Sequence, residues 1–221
     1  MALDPSINGQ FDGSWGMVRG LMSADGSGQH RFVGTLARSN ALARDVADAV
    51  HALCMLHGRQ PGLLDHALAC NAQPAWAPWL EAAVEAFAAE RALLARLTAA
   101  AGPLPSTPGQ AESDSTIMSQ RHALDTLARS DRRGCAVGAA VALVADWRAV
   151  RAVLDRAADR FGVPPVTCQL PDDADTAMLV ATLAASPAAE RAMAFGAQQL
   201  LAQHNGLWSL MEARASARNN A

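Results

Sequence analysis

The chain has no lysine and no tyrosine, and all 18 of its basic residues are arginine. Without lysine there is no Schiff-base residue, no P-loop lysine and no kinase-type phosphate lysine; without tyrosine there is no phenolic acid or base. Aromatic residues make up only 5% of the chain. The motifs GxSxG, HExxH, ExxH, GxGxxG and CxxC are all missing. Charge is scarce too. Charged residues are 18% and the net charge is −3, so no broad cationic field is offered to nucleic acid or acidic lipid, and neither is an expected partner. Arg129, Arg132 and Arg133 form the one tight basic cluster, at a helix end where the dipole already favours cations. The longest apolar run, Cys135 to Ala145, falls short of the roughly 20 residues a membrane span requires and stops at Asp146. Four dispersed cysteines (Cys54, Cys70, Cys135, Cys168), with no charged-then-apolar leader, predict free thiols and a cytoplasmic location.

What is abundant is small and helix-favouring. Of the 221 residues, 51% are hydrophobic and 50 are alanine, which predicts closely packed helices around one core. No stretch alternates like a strand. The expected fold is therefore all-α: a single-domain bundle of about five to seven helices over residues 35–216, preceded by a mobile arm over 1–34. The arm is inferred from Gly9, Gly13, Gly16, Gly20, Gly26, Gly28 and Gly34, although Trp15, Met17, Val18, Leu21 and Met22 offer it docking groups.

Periodicity and breakers place the helices. The first runs from Thr35 to His57, with Val46, Val50 and Leu53 on one stripe and Gly58 as the stop. A short helix follows from Pro61 towards Cys70, then a long one from Pro78 to Ala101 that Gly102 and Pro103 end. Thr107, Pro108 and Gln110 read as a capping box for a helix to about Arg129. Gly134 to Phe161 is the most hydrophobic segment and should be the central element. Asp172 or Asp173 caps a short helix to about Ala185, and Ser186 with Pro187 opens the last, to about Ala215.

Polar residues that fall inside apolar stripes are the candidate site. Arg91 lies between Phe87 and Leu94, and Asp146 shares a side with Leu143, Val150 and Leu154. His204 lies between Leu200, Leu207 and Met211 with Glu190 on the flank, and His57 closes the first stripe. A buried charge needs a partner, so Arg91 and Asp146 are expected to pair. His57 reads as a cation favoured by a helix C-terminus. Asp65, at the start of the short helix, reads as a first-turn cap. With antiparallel packing around the central helix, Arg91, Asp146 and His204 form the expected ligand-binding group, too few for a tight metal site but sufficient to orient a small polar ligand. Glu190 is 14 residues from His204, about 21 Å along a helix, and cannot share one ion with it. Asp48-x-x-His51 and His122-x-x-Asp125 are a weaker metal-ligand pattern, because Asp48 falls away from its stripe onto an expected exposed flank.

The stretch Leu56-His57-Gly58 through Pro61-Gly62 to Asp65-His66, with the loop Gly102-Pro103-Leu104-Pro105-Ser106-Thr107-Pro108-Gly109-Gln110, resembles an uncharacterised all-helical family of alphaproteobacteria over roughly residues 36–215. The resemblance implies a fold and no activity. The helical arrangement is also similar to ferritin-like bundles, but a di-iron site of that type needs Glu-x-x-His on two helices. Two functions stay open: non-catalytic binding of a small ligand or a partner, a second copy of the chain included, and a metal-dependent or acid–base enzyme with its site in the bundle interior. The sequence leaves the cofactor unknown.

Overall fold

The computed structural model describes residues 5–71, 74–183 and 186–220, with side chains over 13–70, 74–182 and 186–220. Among these residues the chain forms α1 (Pro5–Asp25), α2 (Arg31–Leu36), α3 (Ala43–His57), α4 (Leu63–Asn71), α5 (Ala77–Ala101), α6 (Gln110–Ala128), α7 (Cys135–Phe161), α8 (Asp173–Leu183) and α9 (Pro187–Asn219), with a single 3-10 turn over Ser27–Gln29 and no strand. None of these helices is long and apolar enough to cross a membrane.

The centre is α7, whose apolar surround lets it pack against α1 to α6 and α9 at once. Every residue from Cys135 to Val144 is buried. Its closest partner is α9, and glycine makes that contact. A Cβ on Gly138 would lie 2.2 Å from the Met193 carbonyl oxygen, and one on Gly196 would lie 2.0 Å from that of Cys135. Only a residue without a side chain fits at either point. The Cβ that Gly134 lacks would meet Ala189, Gly138 is matched to Met193, and Asp146 bonds to His204. The register thus climbs along both helices, so α7 and α9 run parallel. This corrects the expected antiparallel arrangement. Between the two helices lies α8, docked on α1, α5 and α9, and α9 begins at the same end of the bundle as α7 does.

The seven helices read from residue 35 onward are all present, with shifted ends. Thr35 and Leu36 close α2, and turn formers at Ser39 and Asn40 delay α3 to Ala43. The capping box at Thr107 does not form, because Arg214 and Arg218 both donate to Thr107 Oγ1, at 3.3 and 2.8 Å; Gly109 takes the cap position instead. The same arginines carry α9 past Ala215, since they reach Asp48 and Asp45 on α3. Ser186 caps α9 as expected, accepting from the Ala189 amide at 3.2 Å.

The glycine-dense segment differs most. From Gly13 to Asp25 it is helical and packed on α7, α8 and α9, with Val18 fully buried, so these residues are part of the packed bundle. Gly13, Gly16 and Gly20 weaken helix propensity, but the face carrying Ser14, Val18, Leu21 and Met22 supplies tertiary burial, which outweighs propensity. The expected mobility of residues 1–4 lies outside the described residues, as do the side chains before Gly13.

Candidate functional site

Asp146 is completely buried on α7, eight residues after Gly138, and His204 is 1% exposed on α9, eight residues after Gly196. Eight residues are about 12 Å of helix, so the glycine crossing sets both side chains at the same distance along parallel helices. They meet: His204 Nδ1 lies 2.6 Å from Asp146 Oδ2. Asp146 also accepts the backbone N–H of Ser27 at 2.7 Å on Oδ1 and the Ser27 hydroxyl on Oδ2. Ser27 Oγ in turn accepts the Trp208 indole N–H at 2.8 Å. On the other side, His204 Nε2 is 2.9 Å from Nε2 of His57, itself 6% exposed.

Donor and acceptor accounting gives this chain one direction. A carboxylate accepts only, so His204 donates from Nδ1; with that ring neutral its Nε2 is an acceptor, His57 donates from Nε2, and His57 Nδ1 holds a lone pair. Trp208, Ser27, His204 and His57 all send their hydrogens towards Asp146. Burial pushes the Asp146 carboxyl up, but the hydrogen bond from His204, the charge that His204 carries once protonated at low pH, and the two hydrogen bonds from Ser27 together hold it below the ordinary value. His57 is shifted the opposite way from a helix-end cation. Burial, reinforced by His204, lowers it well below 6.5, so it is neutral near pH 7. The reason is its surroundings: its ring makes edge contacts with Trp147 and Phe87, at centroid distances of 5.4 and 6.2 Å.

Arg91 is buried and paired with a carboxylate, but not with Asp146. Its Nη1 donates to Asp65 Oδ2 at 3.0 Å. Asp146 has its acceptor sites filled by Ser27 and His204, whereas Asp65 is presented by α4 packed on α5. Asp65 still acts in its own first turn, accepting the Gly62 N–H at 2.9 Å on the same oxygen. Arg91 thereby fastens the loop 58–62, and that loop walls a cavity of about 20 Å³ lined by His57, Gly62, Arg59, Phe87, Arg121 and Asp125. The three expected ligand-binding residues therefore do not converge on one point. Asp146 and His204 hold the imidazole of His57, which lines the cavity, and Arg91 holds its wall.

Other polar candidates are occupied elsewhere. Glu190 accepts from the Ser14 hydroxyl at 3.0 Å. Asp48, expected on an exposed flank, is buried between Arg214 and Arg218, and His51 Nε2 lies 2.9 Å from the Gly102 carbonyl oxygen. His122 is exposed. Among the described residues no group of three or more His, Cys, Asp or Glu is placed to hold a metal. Three contributors were missed from the sequence. Ser27 was hidden in the glycine-rich segment, where the pattern Gly26-Ser27-Gly28 was its only trace: a Cβ on Gly26 would lie 3.3 Å from Asp146 Oδ1 and still closer to the Met22 carbonyl. Trp208 lies beside the Leu200, Leu207 and Met211 stripe, and nothing in its sequence position marks the bond to Ser27. Glu90, which accepts from the Trp147 indole at 2.9 Å and from Arg151 at 2.7 Å, left no signal beside Arg91.

No curated protein and no solved structure matches the chain. Residues 22–219 match a family of unknown function, DUF6975, a span that takes in every residue of the hydrogen-bond chain from Ser27 to Trp208. The protein belongs to this family.

Proposed function

We infer that this is a non-catalytic helical-bundle protein that binds a small polar ligand at the cavity under the 58–62 loop, with His57 as the acceptor that orients it. One observation carries the reading: a directional chain of buried hydrogen bonds, Trp208–Ser27–Asp146–His204–His57, ends on an imidazole that lines a cavity. Five polar groups of this kind are costly to bury, and fixing the tautomer of His57 is a return that a purely apolar core would not give. Asp146 and His204 act through His57, and Arg91 acts through Asp65 and Gly62. The partner in this reading is a small molecule.

The same chain would let His57 accept a proton, which is the alternative of an acid–base enzyme. The cavity argues for binding instead, because about 20 Å³ holds a group the size of a water molecule, and burial makes neutral His57 a poor base. The test is a thermal-shift screen of small polar compounds against wild type and His57→Leu. Binding at this site predicts responses that disappear in the variant; responses of equal size in both would place the ligand elsewhere.

A further inference from the structure

The charges around the cavity identify a ligand class. Arg59 on the exposed loop and Arg121 on α6 both line it, and among the described residues neither has a hydrogen bond or ion pair. The other arginines that reach the interior are matched: Arg91 to Asp65, Arg151 to Glu90, Arg214 and Arg218 to Asp48 and Asp45. Asp125, one turn beyond Arg121, lines the same cavity and is likewise unpaired among the described residues. His57 is nine-tenths buried, and its Nε2 is committed to His204, while among the described residues no hydrogen bond is made by its Nδ1.

The unmatched groups are thus two cations and two acceptors. A plain carboxylate would satisfy the guanidiniums but leave His57 Nδ1 and Asp125 without a donor and add a second negative charge beside Asp125. An amine would satisfy the acceptors and be repelled by the arginines. A molecule carrying both groups satisfies all four. We propose that the ligand is a small amino acid-type zwitterion whose ammonium donates to His57 Nδ1 and Asp125 and whose carboxylate lies across Arg59 and Arg121. The space fixes the orientation. The cavity of about 20 Å³ accepts one water-sized group, the size of an ammonium, and exposed Arg59 leaves the larger, planar carboxylate at the mouth, where guanidinium geometry suits it. This rests on the cavity being the ligand site, and the experiment separates the two claims.

Full-length protein at pH 7.5 is titrated with glycine, L-alanine, acetate, methylamine and acetamide, read by backbone amide shifts at Gly62, Leu63 and Asp125. The expected result is binding of glycine or alanine at least about tenfold tighter than acetate or methylamine. Arg121→Gln and Asp125→Asn, both at half-exposed positions, should each weaken the amino acid by about tenfold or more. Acetate or acetamide binding as tightly as glycine, with Asp125→Asn silent, would overturn the zwitterion while leaving the cavity as a ligand site. No shift at Gly62 and Leu63 with any probe, or shifts that persist in a folded His57→Leu variant, would overturn both.

Discussion

At the residue scale, the buried hydrogen-bond chain requires an ionised Asp146 and a neutral His57. His57 has a folded pKa below its unfolded value, so its contribution is fully present above about pH 6.5 and is lost as pH falls, because the unfolded chain takes up a proton that the folded one resists. Urea denaturation at pH 7.5 and pH 5.5 should show wild type losing more stability than His57→Leu across that interval, by up to about 1.4 kcal/mol per pH unit. Equal losses would mean that His57 is not held neutral. Asp146 acts lower, since its carboxyl is also depressed and its contribution is lost only below the ordinary value of 3.8. Asp146→Ala strands the His204 N–H and the Ser27 amide in a dry interior and should cost about 3 kcal/mol or more at neutral pH. For Arg91, a double-mutant cycle with Asp65 should show coupling of about 1–3 kcal/mol, whereas the cycle with Asp146 should be additive to within about 0.5 kcal/mol. Strong coupling to Asp146 would contradict the pairing described above.

At the element scale, the contact between α7 and α9 sets the site. Because the Cβ of any other residue at Gly196 would fall 2.0 Å from a backbone oxygen, nothing can yield except the helices themselves. Gly196→Ala should therefore destabilise by about 3 kcal/mol or more despite alanine's better helix propensity. Gly20→Ala on α1 is the control. Beyond its own stretch of helix nothing lies within 4 Å of the Cβ it would gain, so the substitution should stabilise by up to about 1 kcal/mol. Denaturation midpoints moving in the same direction for both variants would rule out the crossing as the constraint.

At the scale of the whole molecule, the sequence carried the fold class, the seven helices after residue 35 and the centrality of α7, because alanine-rich periodicity and proline or glycine stops are local signals. It also carried the inward direction of Asp146, His204, Arg91 and His57, since stripe position depends only on helix phase. What it did not carry were the partners. Arg91 and Asp65 are brought together by α4 packing on α5, and His57 and His204 by α3 and α9 meeting across α7. Ser27 and Asp146 are 119 residues apart in sequence. The direction of α9 was equally hidden, since it depends on the return path through α8. Propensity misled outright for residues 13–36, where tertiary burial overrides glycine.

The direct test of the central claim is the protonation pattern of the two buried imidazoles, read at pH 7 by long-range ¹H–¹⁵N correlation on protein labelled at histidine. The structure predicts a single fixed tautomer for each ring: His204 protonated on Nδ1 with a strongly downfield proton that Asp146→Asn removes, and His57 protonated on Nε2 with an unprotonated Nδ1. Rings that average between tautomers, or a doubly protonated His57 at that pH, would contradict it.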